Sequence, residues 1–206
     1  MITITSYGHS CFKVENENHS IVFDPYEDGS VPGLKLPSDI HADAVYCSHS
    51  HADHDAYNMI HLTSDHDPFP LHKITVPHDE AGGTKRGFTD ITFVTIDHMT
   101  IAHLGDIGRM PTKEEYDKLA EADVILIPCG GYFTIDAKQA EEILHHIHAK
   151  LNILMHYRED NRGYDVIADI KDIQKDIPEL VQLKDSSISF DETDIPQETI
   201  TLKPIQ

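Results

Sequence analysis

Apolar and polar residues alternate through the first 24 positions, and the alternation predicts three short strands at 2–7, 10–15 and 19–24. Turns are expected near Tyr7-Gly8-His9 and Asn16-Glu17-Asn18. The pattern then lapses from Pro25 to Ile40, where Gly29, Pro32, Gly33 and Pro37 mark a long loop. A buried strand is expected at 43–48, a short helix around 55–61, and strands at 72–76, 91–96 and 99–103. Thr112-Lys113-Glu114-Glu115 reads as a capping box opening a helix that runs to about Ala122. The unbroken apolar run in Asp123-Val124-Ile125-Leu126-Ile127-Pro128 predicts a strand covered on both faces. Ala140, Ile143, Leu144 and Ile147 recur at helical spacing within 136–149, and Leu151 to Met155 returns as a strand. A last helix is expected over 164–176, with strands near 180–184, 187–190 and 198–203. Strands first, helices interleaved and strands last imply an α/β fold of two packed sheets with helices outside. No linker or repeat interrupts it, so residues 1–206 read as a single domain.

Composition sharpens this only in places. A chain of 206 residues with 39% hydrophobic content can bury a proper core without disulfides. Cys11, Cys47 and Cys129 are widely spaced and read as buried reduced thiols. No run of about 20 apolar residues occurs, so no membrane partner is expected. The N-terminus reads as a strand rather than a leader, which points to the cytoplasm. The formal charge of −20 repels polyanions at long range, so no nucleic-acid partner is expected. It leaves room for a small anionic substrate, because bound cations reverse the potential locally.

The chemistry concentrates in Ser48-His49-Ser50-His51-Ala52-Asp53-His54, directly after an apolar strand. Residues two apart on an extended segment point the same way, so His49 and His51 can converge on one ion. Asp53 and His54 lie where the chain turns, within reach of a second ion. Imidazole and carboxylate donors suit zinc, and also manganese, iron or nickel. Farther on, His78 and His156 each follow an apolar strand, and Asp106 sits in the glycine-flanked turn Gly105-Asp106-Ile107-Gly108. Strand ends are where a scaffold hands side chains to a cleft.

These motifs, with Gly8-His9-Ser10-Cys11-Phe12, Phe23-Asp24-Pro25 and Pro128-Cys129-Gly130-Gly131-Tyr132-Phe133, resemble the metallo-β-lactamase superfamily over roughly residues 1–160. More narrowly, the chain is similar to small zinc-dependent hydrolases related to the L-ascorbate-6-phosphate lactonases. The resemblance implies a four-layer αββα sandwich with the site at one edge of the two sheets. It places one metal ion on His49, His51 and His78, and a second on Asp53, His54 and His156, with Asp106 bridging them. Asp53 and Asp106 are accordingly the expected catalytic carboxylates. His9, His103, Tyr132 and Arg158 sit in or beside the same motifs and are expected to contact substrate, with Tyr132 or His103 as proton donor. For Arg158 a surface ion pair is the competing reading, and Arg86 reads as structural. Asp24 and Asp79 are candidates either to orient ligand histidines or to cap turns.

The expected activity is therefore a di-metal hydrolase. A hydroxide clamped between two cations about 3.5–4 Å apart would cleave a small ester, lactone or phosphoester. The alternatives are a non-catalytic metal-binding protein on the same fold, a nuclease, or a di-iron oxidoreductase. Di-iron relatives carry glutamate where this chain has His51, and the length leaves no room for a flavin domain. Edge strands near the termini could pair two copies into a homo-oligomer.

Overall fold

The alternating N-terminal strands build the smaller of two main sheets in the computed structural model, which describes residues 1–205. Strands β1 (Ile2–Gly8), β2 (Cys11–Glu15) and β3 (Ser20–Phe23) form an antiparallel meander, with a register shift between Ser6 and Gly8. After a loop, β4 (His41–Ala42) leads into β5 (Ala44–Tyr46), which lies parallel to β3. A two-residue strand β6 (His61–Leu62) pairs with β4 outside the main sheets.

The larger sheet begins with β7 (Leu71–Pro77), β8 (Phe88–Ile96) and β9 (Met99–His103) as an antiparallel ribbon. Helix α1 (Lys113–Leu119), strand β10 (Val124–Pro128), helix α2 (Ala137–Ile147) and strand β11 (Leu151–Met155) follow, and β9, β10 and β11 run parallel. Helix α3 (Ile170–Asp176), then β12 (Val181–Gln182), β13 (Ser187–Phe190) and β14 (Glu198–Thr201) finish the chain. The sheet orders are β13-β1-β2-β3-β5 and β12-β14-β11-β10-β9-β8-β7.

Three apolar layers follow from these faces. Ile4, Phe12, Val14, Ile21 and Phe23 meet Val94, Ile101, Val124, Leu126 and Ile153 between the sheets. The outer face of the larger sheet, with Ile91, Ile125, Ile127 and Leu154, is covered by Leu119, Ala140, Ile143, Ile147 and Ile173 from the helices. Each fully buried aliphatic chain contributes roughly 1.5–3 kcal/mol. Over the smaller sheet, Tyr26, Val31, Leu36, Ile40 and Ile60 from the loop segment pack on Tyr7, Cys11 and Val22.

Helix α1 starts as its sequence predicts: Thr112 Oγ1 accepts from Glu115 N–H, and the Glu115 carboxylate accepts from Thr112 N–H. Two helices are shorter than expected. The segment at 55–61 forms only a single 3-10 turn, Tyr57–Met59, whose preceding Ala56 has no side chain to cap it. The last helix begins at Ile170 rather than 164, because the backbone before it is already engaged. Ala168 carbonyl accepts from Arg158 N–H at 2.9 Å, and Arg158 carbonyl accepts from Ile170 N–H at 2.8 Å. Asp169 then caps the helix. Helix α2 ends before His148, which adopts φ 53° and terminates it in the left-handed region. No helix among the described residues is long and apolar enough to cross a membrane. The loops that follow β1, β5, β7, β9 and β11 gather at one edge of the two sheets.

Candidate metal centre

Asp106 occupies the middle of that edge. Its Oδ2 lies 3.3 Å from His54 Nε2, 3.3 Å from His156 Nε2, 3.5 Å from His78 Nε2 and 4.0 Å from His49 Nε2. Two adjoining donor groups share this carboxylate. In one, ring nitrogens of His49, His51 and His78 lie within 4.8 Å of one another; in the other, His9, Asp53, His54 and His156 do. The structure thus brings together all seven residues of the His49, His51, Asp53, His54, His78, Asp106 and His156 set, drawn from four separate loops.

Several of these atoms are buried and have no hydrogen-bond partner: Nε2 of His49, His54 and His156, and Oδ1 of Asp106. Each orphaned buried polar atom costs roughly 1–3 kcal/mol. Lone pairs converging without donors are what a cation requires, and the imidazole and carboxylate set fits divalent metals.

The outer nitrogens are held by the scaffold. Asp24 accepts from His54 Nδ1 at 2.7 Å and from the backbone N–H and hydroxyl of Ser48 at 2.7 and 2.6 Å. With its hydroxyl proton on Asp24, Ser48 Oγ accepts from His49 Nδ1 at 2.9 Å. Both histidines therefore turn Nε2 lone pairs inward. Asp24 is the orienting carboxylate of the two candidates. Asp79 instead caps its own loop, accepting backbone N–H groups from Ala81, Gly83, Lys85 and Arg86.

The charges suit metal capture. Burial and the neighbouring His156 push His9 down to about 4, and burial with the neighbouring His54 pushes His49 down to about 3, so both stay neutral at pH 7. Burial alone would raise the Asp106 carboxyl, but His156 and His54 hold it well below its ordinary range. Asp53 is likewise depressed, by hydrogen bonds from His54 and His9 that outweigh burial. His54 moves the other way. Burial would lower it, but the Asp106 and Asp24 carboxylates on either side raise it, and theirs is the negative charge that a cation held here would meet.

Backbone geometry at the edge is costly. Four non-glycine residues, His9, Asp24, Tyr132 and His156, adopt φ of 54°, 42°, 60° and 55°. His156 N–H donates to His9 carbonyl at 3.1 Å, which ties two of them together. A Cβ on Gly130 would sit 2.1 Å from His156 carbonyl oxygen, so only glycine allows that strand end to approach.

The four expected substrate contacts divide. His9 is buried, its Nε2 lies 3.2 Å from Asp53 Oδ2, and its ring centroid is 4.1 Å from that of His156, so it joins the second donor group. His103 does not reach the cleft. It is buried in the interior, stacked on Phe23 at 4.9 Å, with Nε2 donating to Ser10 carbonyl and Nδ1 accepting from Gly105 N–H. With both nitrogens engaged, it cannot donate a proton to substrate. Arg158 is also withdrawn, paired with Asp169 at 3.2 Å. Tyr132 is exposed at the rim beside Phe133 and Arg86.

An open cleft of about 180 Å3 lies over the centre, walled by His51, Asp53, His78, Asp106, Arg86, Phe133 and Tyr164. Of the last three, the sequence reading takes Arg86 as structural and assigns no role to Phe133 or Tyr164. Tyr164 hydroxyl lies 3.2 Å from Asp53 Oδ2 across 111 residues of sequence, and also donates to Ser30 carbonyl. Its only sequence signal is an aromatic in a loop that was read as helix.

The profile of the beta-lactamase superfamily domain matches residues 3–156 of this chain. A UPF0173 metal-dependent hydrolase of Carboxydothermus hydrogenoformans is 26% identical over 83% of this chain and 90% of its own length. A Thermotoga maritima protein of the metallo-beta-lactamase superfamily shares the fold with a TM-score of 0.78, at 24% identity over 98% of each chain. A metallo hydrolase from Ignicoccus hospitalis aligns with a TM-score of 0.65 at 16% identity, over 100% of this chain and 96% of its own.

Proposed function

Because this chain belongs to the beta-lactamase superfamily, whose domain profile covers residues 3–156, we propose that it is a metal-dependent hydrolase of a small ester, lactone or phosphoester. The observation that carries this reading is the convergence of four imidazole Nε2 atoms on one Asp106 oxygen, those of His49, His54 and His156 being buried with no hydrogen-bond partner. His49, His51 and His78 would hold one divalent ion and Asp53, His54 and His156 the other, with Asp106 shared between them. Zinc fits these donors, as do manganese, iron and nickel. Such ions, when bound, supply Lewis acidity and a water acidic enough to act as nucleophile at neutral pH.

The chain's own residues do the rest. Asp106 and Asp53, both held ionised, offset the cationic charge and fix the donor groups relative to one another. Asp24 and Ser48 lock the ring orientations of His54 and His49. Tyr164 braces Asp53 and, with Phe133, narrows the cleft against bulk water. Protein thiols are poor alternative nucleophiles: Cys11 and Cys129 are buried, and burial pushes the Cys47 thiol up to about 12. The cleft of about 180 Å3 suits a small molecule rather than a nucleic-acid strand. The chain's charge of −20, which repels polyanions, argues the same way.

The test is elemental analysis of the purified protein followed by a panel of chromogenic ester, lactone and phosphodiester substrates with and without a chelator. Two equivalents of divalent metal and chelator-sensitive hydrolysis are expected. A protein that takes up no metal, or that is loaded and cleaves nothing, overturns the reading.

A further inference from the structure

One wall of the cleft carries a cation, Arg86, that has no ion-pair partner among the described residues. Arg86 lies at the end of the loop after β7, and Asp79 shapes that loop by accepting four backbone N–H groups, from Ala81 at 2.8 Å, Gly83 at 3.0 Å, Lys85 at 2.9 Å and Arg86 itself at 2.8 Å. The Arg86 backbone is therefore pinned before its side chain enters the cleft. Its guanidinium carbon sits 4.3 Å from the Phe133 ring centroid and 5.6 Å from that of Tyr132. Lys85 beside it is paired with Glu80. Among the described residues no carboxylate pairs with Arg86, although the chain carries 36 acidic residues against 16 basic ones.

These cation–aromatic contacts hold the guanidinium in place without using its N–H donors, which can read a carboxylate or phosphate in a bidentate way. A half-buried cation without a counter-ion is costly, and an anionic ligand offsets that cost. Arg86 shares the small cleft with His51, His78 and Asp106, so a single small molecule can touch both Arg86 and the metal centre. The long-range field of the chain repels anions, which makes a local, fixed cation the natural means of holding one.

We propose that Arg86 determines specificity by binding an anionic group of the substrate, a carboxylate or phosphate that is separate from the bond being cleaved. This rests on the hydrolase reading and narrows it to anionic esters, lactones or phosphoesters. Phe133 and Tyr132 act as positioning residues by holding the guanidinium, and Asp79 by fixing the loop.

Two measurements on the metal-loaded full-length protein test this. The first compares kcat/KM for two esters of equal size, one carrying a remote carboxylate or phosphate and one uncharged, in wild type, R86K and R86Q. The ratio of charged over uncharged is expected to fall roughly 10–100-fold in R86Q, as for loss of a charged hydrogen-bonding partner, with partial recovery in R86K. The second measures Kd for inorganic phosphate and for acetate by calorimetry, with metal content determined on each sample. Weaker binding of at least one anion in R86Q at equal metal content supports the proposal and tells phosphate from carboxylate. Anion affinities and ester ratios that do not change on substitution overturn it. If neither ester is cleaved but anion binding still depends on Arg86, the hydrolase reading fails while the anion site stands.

Discussion

Asp24 Oδ2 lies 2.7 Å from Nδ1 of His54, and that contact decides which nitrogen of His54 faces Asp106. The same carboxylate holds Ser48, which orients His49, so one buried residue sets a histidine in each donor group. D24N removes the charge while keeping the shape. Loss of such an outer carboxylate typically weakens metal binding about 10–100-fold. We expect that loss in competition with a chromogenic chelator, with far-ultraviolet circular dichroism unchanged. Affinity equal to wild type would show that the histidines hold their orientation without Asp24.

Asp106 is the carboxylate both donor groups share. In D106N, metal content is expected to drop from two equivalents per chain to one or fewer, with hydrolysis lost. Elemental analysis reads the first and the substrate panel the second. Two retained equivalents would mean that Asp106 does not join the groups.

Gly108 makes a close backbone approach without a left-handed conformation. A Cβ there would meet Asp79 N at 2.3 Å and His78 C at 2.4 Å, and neither can move without displacing the His78 loop. G108A is expected to destabilise the protein by about 2 kcal/mol or more, as overpacking does, and to weaken metal binding as well. Urea midpoints and chelator competition check both halves; a stable variant with wild-type affinity would refute the link.

Glu115 serves the helix α1 cap and pairs bidentately with Arg109 at 2.7 and 2.8 Å. Burial would raise its carboxyl, but the Arg109 pair and Thr112 N–H lower it below the ordinary value of 4.5. A depressed carboxylate contributes stability that is present above about pH 4.5 and disappears as pH falls through the folded-state value. E115Q should therefore be less stable than wild type at pH 7, by about 0.5–1.5 kcal/mol, with the gap closing below about pH 4.5. Chemical denaturation across pH 3–7 measures it, and a gap that stays constant would contradict the assignment.

The strands were legible because their alternation reports which face is buried, and the His49–His54 segment because four donors in six residues have few other uses. Helix α1 was legible from its capping box. The misplaced residues share a different cause. His103 and Arg158 lie beside suggestive motifs, but their directions depend on partners distant in sequence or hidden in a loop: Ser10 carbonyl, 93 residues away, and Asp169 at the start of α3. Arg86 reads as structural because nothing local reveals that Phe133 waits across the cleft, 47 residues on. Helix 164–176 was overextended because bridges between Arg158 and the backbone ahead of Ile170 leave no trace in periodicity.

The left-handed φ values at His9, Asp24, Tyr132 and His156 set durability against activity. Each non-glycine residue held there gives up about 1–2 kcal/mol of conformational preference. Asparagine or glycine would relax those angles and raise the melting temperature, most readily at the positions that grip or flank the ions. A campaign selecting only for heat resistance would therefore drift toward a hardy but inert protein, and one selecting for turnover must seek its extra stability in the helices and the inter-sheet core.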